Sequence, residues 1–343
     1  MTDYKGKRIF VGIDVHKKTY SLAVAYEGEI IKKCTMAAAP EVVVAFLKKH
    51  FCEASIESAY EAGFSGFKLH RFLISNGINN KVVHAASIEI AARERVKNDK
   101  RDSVKIAIQL AAGRLKSVHV PSEEREDYRA VSRLRERLLE DRKRKSVQIK
   151  MFLHQLGRIA HNESFQINAK QINRLLTLPY SQEQRFVLET LTRQWLSIDE
   201  EINTVEKQLQ KQAESDSVFE TIYRSLPGIG PIIARALANE LGDMKQFSND
   251  RRVFSYCGLT PSEYSSGEHV RIGHITRQGK PILRRMLVQA AWVAIEIDKE
   301  LAEFYARISR KGGKKRAIVA VARRLIGHAK TCLKQGRPYE IRK

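Results

Sequence analysis

Cysteine, aromatic residues and long apolar runs are all scarce in this chain of 343 residues, and each shortage excludes something. The four cysteines, Cys34, Cys52, Cys257 and Cys332, are widely dispersed and form no C-x-x-C pair. Neither a zinc site nor a disulfide framework is indicated, and they read as reduced, mostly buried thiols. Aromatic residues make up only 8% of the chain, and no aromatic string of the kind that stacks RNA bases occurs. No apolar run approaches the roughly 20 residues a membrane helix needs, and the opening MTDYKGKRIF has no signal-peptide apolar core. The composition predicts a cytoplasmic protein with no membrane partner.

Negative charge is the other shortage. The chain has 39 Asp and Glu against 61 Lys and Arg, a formal charge of +22 and a pI near 9.9, which points to a polyanionic partner, nucleic acid first. The excess is concentrated. Residues 307–343 hold thirteen Lys or Arg against the single Glu340, and residues 142–158 hold six against none.

The length favours two or three structural units. RIFVGID (8–14), YSLAVAY (20–26) and EIIKKCT (29–35) are β-favouring runs that predict a three-strand antiparallel meander. Helix, strand, helix and strand follow at 40–50, 55–61, 66–77 and 80–85, and helical spacing runs from 87 to 115. A meander followed by alternating helices and strands is the order of a ribonuclease-H-like fold. Residues 125–159 predict a long basic helix. Leu188, Leu191, Trp195, Ile198, Ile202, Val205 and Leu209 then alternate in steps of three and four, an unbroken coiled-coil seam. Turns near HNES (161–164) and LPYS (178–181) allow a hairpin within one chain, and the seam could equally pair two chains. From about 215 the chain predicts helices to its end. Within it, SLPGIGPIIARALANELGD (225–243) resembles a helix-hairpin-helix, whose turn, with Gly228 and Gly230, could hold a DNA phosphate. The expected fold class is thus α/β plus all-α, with an N-terminal domain (1–118), a basic helical coiled-coil region (119–214) and a mostly helical C-terminal domain (215–343).

Four acids stand out in the first domain. Asp14 ends the first strand in GIDVHK, Glu61 ends the fourth in YEAG, and Asp99 and Asp102 in VKNDKRDS are three apart, on one helix face. Hard divalent cations need several oxygen ligands, and metal-assisted phosphoryl transfer uses such carboxylates. Taken singly each acid reads as a solvated surface group, but together on this strand order they predict a metal site. Lys17 and other cations nearby suit phosphate approach. His16 and His84 lie near the same strand ends and read first as packed or capping residues.

GIDVHK, YEAG and NDKRDS resemble the DEDD signature of a family of bacterial insertion-sequence transposases. LPGIG (226–230), FSNDRRVFSYCGLTPSEYSSG (247–267) and GHITRQGKPILRRMLVQAAW (273–292) resemble the same family's C-terminal domain, in the same order along the chain. The resemblance implies a RuvC-like N-terminal domain binding Mg²⁺ (or Mn²⁺) through Asp14, Glu61, Asp99 and Asp102, a coiled-coil linker, and a C-terminal domain with a nucleophilic serine. It implies a recombinase that cuts and rejoins DNA through a covalent phosphoserine, assembled as a dimer and tetramer. The acids of one subunit would work beside the serine of another. A structured bridge RNA would pair with donor and target DNA, and the protein would be nucleoid-associated. Ser103 stands where the family commonly has alanine.

By position in that resemblance the nucleophile is Ser266, with Ser265 one residue away and Ser262 four. A serine hydroxyl needs activation and nearby cations to attack a phosphodiester. Arg271, Arg277, Lys280, Arg284 and Arg285 follow within twenty residues, and Gly267, Gly273 and Gly279 would allow close approach of a nucleic-acid strand. No base is obvious beside the serine, so a metal site held by the distant acids is the expected proton acceptor. The competing readings are a RuvC-like nuclease or resolvase that uses the acids alone, and a noncatalytic nucleic-acid-binding protein.

Overall fold

The computed structural model describes residues 4–88, 99–160, 165–264, 269 and 271–341, in two compact units, Met1–Pro121 and Ser122–Lys343. The first unit is mixed α/β. Strands β1 (Arg8–Val15), β2 (Thr19–Tyr26) and β3 (Glu29–Ala37) form the antiparallel meander. Helix α1 (Pro40–His50), strand β4 (Ser55–Glu61), helix α2 (Lys68–Ser75), strand β5 (Asn79–Val83) and helix α3 (Asp99–Ala111) follow. The sheet order is β3-β2-β1-β4-β5, with β1–β4 and β4–β5 parallel.

Burial explains the order. β2 is buried at six consecutive positions, as a strand covered on both faces must be, whereas β3 alternates along its length, as an edge strand does. One face of the sheet sets Ile9, Val11, Ile13, Leu22 and Val24 against the apolar sides of α1 and α2. The other face is built from small residues, Ala23, Ala25 and Ala59, on which Ile106, Ala107 and Leu110 of α3 pack. Gly12 lies at the centre of this second face. A Cβ placed there would fall 2.0 Å from the Ser103 carbonyl oxygen and 2.4 Å from the Ala107 nitrogen. Helix α3 therefore rests with its backbone directly on β1.

The helix expected over 87–115 is shorter. Residues Ala85–Ser87 form a 3₁₀ turn, α3 ends at Ala111, and Ser117 bridges Val83. Gly113, at φ +67°, turns the chain out of the helix. Residues 89–98 lie outside the described residues.

The second unit begins with α4 (Glu123–Gln155), α5 (Ala169–Leu176) and α6 (Gln182–Ser215). Ser181 and Gln184 form a reciprocal capping box that fixes the start of α6, at the expected LPYS turn; HNES lies outside the described residues. α4 and α6 pack as an antiparallel pair within one chain. Tyr128 meets Ser215 (3.2 Å), Arg135 meets Glu206 (2.7 Å), Arg142 meets Asp199, and Trp195 Nε1 donates to Ser146 Oγ (2.9 Å). Every seventh seam residue, Leu188, Trp195, Ile202 and Leu209, is buried. The alternate row, Leu191, Ile198 and Val205, is half-buried. At the far end of the pair, Ile149, Leu153, Ile172, Leu175 and Leu188 make a small core of their own.

Helices α7 (Ser217–Ser225), α8 (Pro231–Leu241), α9 (Asp250–Tyr256), α10 (Pro281–Ile297), α11 (Lys299–Gly312) and α12 (Lys314–Gln335) form the main core of this unit. The unit is mostly helical, as expected, with one short exception between α9 and α10. β6 (Pro261–Glu263) and β7 (Ile272–Ile275) pair as an antiparallel ribbon. Strands of three and four residues are too short to show a period of two in the sequence.

Candidate active site

Two of the four acids end neighbouring parallel strands. The last paired residues of β1 and β4 are Ile13 and Tyr60, so Asp14 and Glu61 come one step further at the same end of the sheet. Asp14 follows Gly12 by two residues and therefore projects from the same face, the one α3 covers. Ser103, the residue after Asp102 near the start of α3, sets its carbonyl over Gly12, two residues before Asp14. The strand register thus sets Asp14 and Glu61 side by side at one end of the sheet, and Asp102 adjoins the α3 carbonyl that rests on Gly12. The side chains are differently engaged. Asp14 Oδ2 is 3.0 Å from His16 Nε2, Asp102 Oδ1 is 3.4 Å from Lys105 Nζ, and Glu61 is exposed. Among the described residues no three His, Cys, Asp or Glu side chains form a group able to hold a metal ion. The Asp99 side chain is outside that description. The donor set, carboxylate oxygens on adjoining strand ends and a facing helix, is of the type hard divalent cations take. Lys17 is exposed in the turn after β1, beside this end.

Ser265 and Ser266 lie outside the described residues. The ribbon on either side of them is described, and its base is tightly built. Tyr264 N–H donates to the Arg271 carbonyl (2.9 Å), Thr276 N–H to Thr260 (3.0 Å) and Ser262 Oγ to the His274 carbonyl (3.0 Å). Below the ribbon two glycines interlock. A Cβ on Gly279, at φ +80°, would sit 2.4 Å from the Ser255 carbonyl oxygen and 2.7 Å from the Gly258 nitrogen. One on Gly258, at φ +68°, would sit 2.5 Å from the Gln278 carbonyl oxygen. The chain leaves α9 and re-enters α10 through this crossing, which Lys280 N–H closes on the Tyr256 carbonyl at 2.8 Å.

These contacts reassign several expected roles. Gly279 accommodates the protein's own backbone, and the open side of Gly273 holds the Ser262 hydroxyl at 2.4 Å from an ideal Cβ. At both positions the space a side chain would need is filled by the protein's own atoms rather than left open to a nucleic-acid strand. Gly228, at φ +75°, lets the α7–α8 turn press on α10, where a Cβ would be 2.2 Å from the Ala290 carbonyl oxygen; Gly230 faces open space as N-cap of α8. Arg284 donates to the Gly258 carbonyl (3.2 Å) and Arg285 pairs with buried Glu136 of α4. Arg271 and Arg277 are exposed along the ribbon and its exit.

Lys280 borders a feature with no signal in the sequence. Glu240 of α8 is buried and accepts from Arg133 Nε (2.7 Å) and Nη2 (3.1 Å) of α4 and from the Tyr256 hydroxyl (3.1 Å) of α9. Burial pushes its carboxyl upward, but the Arg133 bond and charge outweigh this and hold it below the ordinary value. Burial lowers the Lys280 ammonium, against the pull of Glu240. A cavity of about 320 Å³ opens beside them, lined by Arg133, Glu136, Glu240, Lys280, Leu283 and Met286 among others. Glu240 ties α4, α8 and α9 to the foot of the serine-bearing ribbon. A glutamate 107 residues from its arginine leaves no trace in spacing or pattern. Gly12, by contrast, had a readable signal, since a glycine inside an apolar strand marks close backbone approach.

An α/β unit that gathers acids at a strand end and a basic helical unit that carries a braced ribbon define a class of DNA-processing enzyme, and comparison with known proteins specifies it. Residues 220–306 match the transposase family IS116/IS110/IS902, and residues 11–157 match the DEDD transposase of IS110. A Sinorhizobium fredii protein named as a transposase, y4qE, is 30% identical over 303 residues, covering 85% of this chain and 73% of y4qE. The transposase of insertion sequence IS1533 from Leptospira borgpetersenii is 26% identical over 302 residues, covering 83% of this chain and 85% of its own length. That of IS1111A from Coxiella burnetii is 26% identical over 265 residues, covering 74% and 71%. The chain belongs to the insertion-sequence transposases of the IS116/IS110/IS902 family.

Proposed function

We propose that this transposase cuts and rejoins DNA through a covalent bond between Ser266 and a 5′-phosphate, in a reaction that also requires a divalent metal held by Asp14, Glu61, Asp99 and Asp102. The observation that carries the metal half is that Asp14 and Glu61 end neighbouring parallel strands while the helix that begins with Asp99 and Asp102 rests, through Ser103, on Gly12 two residues before Asp14. The strand order β3-β2-β1-β4-β5 supports the ribonuclease-H/RuvC-like reading of this unit. Mg²⁺ or Mn²⁺ bound there would polarise the phosphodiester and lower the pKa of an oxygen ligand. In the covalent step the bond from Ser266 Oγ to phosphorus forms, the bond from phosphorus to the 3′-oxygen breaks, and that oxygen departs with a proton as a 3′-hydroxyl. Attack by the 3′-hydroxyl of a second strand on the phosphoserine restores Ser266 and completes the exchange. The braced ribbon supports the serine assignment, because a nucleophile must be held in a defined geometry. Assembly as a dimer and tetramer, with donor and target DNA chosen through a structured guide RNA, belongs to the same reading and draws support from the strongly basic surface.

The test uses labelled element-end DNA with Mg²⁺. Asp14→Asn and Ser266→Ala should each lower strand cleavage by at least about 100-fold, and only variants that retain Ser266 should yield a denaturant-resistant protein–DNA adduct. Full cleavage by Ser266→Ala, with none by Asp14→Asn, would make the chain a metal-only nuclease.

A further inference from the structure

The turn between α11 and α12 concentrates charge more strongly than any candidate site above. Arg307, Arg310, Lys311, Lys314, Lys315 and Arg316 fall within ten residues, with no Asp or Glu between Phe304 and Ala320. All six are exposed. Gly312 and Gly313 reverse the chain, Gly313 at φ +77°, so that the cations of the last turn of α11 and the first turn of α12 share one end of a packed helix pair. The Arg316 stem folds over Gly312, where an ideal Cβ would be 2.8 Å from Arg316 Cδ.

Arg310 and Lys311 complement the dipole at the end of α11 and Arg307 lies over the Phe304 ring, but the fold gives no such reason for the three cations that follow. Lys314, Lys315 and Arg316 oppose the helix dipole of α12, whose first turn holds no acid. Six like charges at one turn also repel one another. A local arrangement that opposes stability on several counts marks a surface under functional demand. The segment lies beyond residues 220–306, so the family match does not account for it.

We propose that this turn is a docking surface for the phosphate backbone of a DNA duplex. The proposal rests on the reading that the chain acts on DNA and adds the surface that grips it without regard to sequence. Duplex backbone suits it better than an unpaired strand, because no aromatic side chain lies between Tyr305 and the end of α12 to stack a base. A membrane surface suits it less, since the exposed side chains of the turn are cationic throughout and offer no apolar group for insertion.

The experiment measures binding of the full-length protein to a fluorescent 30-base-pair duplex between roughly 50 and 200 mM salt. Each phosphate contact contributes a slope of about 0.9 in log affinity against log salt. The Lys311→Gln, Lys314→Gln, Lys315→Gln triple variant should flatten the slope by about 2.7, while a matched triple at Lys33, Lys49 and Lys68 leaves it unchanged. The corresponding triple arginine variant should retain the wild-type slope, which separates lost charge from lost folding. An unchanged slope in the glutamine variant, an equal loss in the matched control, or transfer of the effect to anionic vesicles alone would overturn the surface assignment while leaving the DNA reading intact. Failure of the wild-type protein to bind DNA at 50 mM salt would overturn both.

Discussion

Glu240 and Glu220 are both buried glutamates, yet their surroundings drive them in opposite directions. Arg133 and Tyr256 satisfy Glu240, whereas among the described residues the carboxylate oxygens of Glu220 have no hydrogen-bond partner and pair at 3.9 Å with Arg235. Burial raises Glu220 above its ordinary value of 4.5, and Arg235 only partly offsets it. The lowered value of Glu240 means that its stabilisation is complete above pH 4.5 and is lost as pH falls through the folded value. Raised Glu220 behaves in reverse, favouring the fold below 4.5 and opposing it as pH rises through the folded value. Glu240→Gln should therefore cost about 2 kcal/mol at pH 7, less than a fully buried pair because Arg133 is partly solvated, and should flatten the loss of stability in acid. Glu220→Gln should hold or raise stability at pH 7. Urea denaturation at pH 4 and pH 7 checks both, and equal losses at pH 7 would contradict this account.

At the scale of elements, the crossing of Gly258 and Gly279 separates support of the ribbon from stability of the core. Gly279→Ala would drive a methyl group into the Ser255 and Tyr256 carbonyls at a positive φ. The expected result is a loss of about 1–3 kcal/mol with the helices retained, accompanied by a fall in strand cleavage well beyond that stability loss. A circular dichroism melt together with a cleavage assay tests it; normal cleavage would show that the foot of the ribbon need not be fixed. Elements were legible in the sequence to the degree that they were long and periodic. The meander, α1 and β4, and the seam of α6 all follow hydrophobic spacing. The ribbon of β6 and β7 did not, because its few residues are held by a glycine crossing between segments twenty residues apart. The acids were legible because each ends a strand or opens a helix. What seats α3 on β1 is a contact between Gly12 and a helix some ninety residues later, which spacing alone does not encode.

For the whole molecule, the two compact units have separate cores. Both are basic, with 20 Lys and Arg against 12 Asp and Glu in the first and 41 against 27 in the second. Calorimetry of the full chain should show two transitions, and residues 1–121 expressed alone should melt cooperatively within a few degrees of one of them. A single transition that vanishes in the fragment would show that the α/β unit depends on the rest of the chain for its fold.

The antiparallel pair of α4 and α6 also acts as a gauge. At 1.5 Å per residue its helices reach about 50 Å, and the buried row recurs every seven residues, about 10 Å. Excising seven residues from each helix between its two ends would shorten the arm by one such step while Leu188, Trp195 or their successors still met the opposite helix in phase. Excisions of other sizes would rotate the small core at the tip away from its seat. The reach of this arm is therefore quantised, and related elements can differ in span by whole steps without redesigning either end.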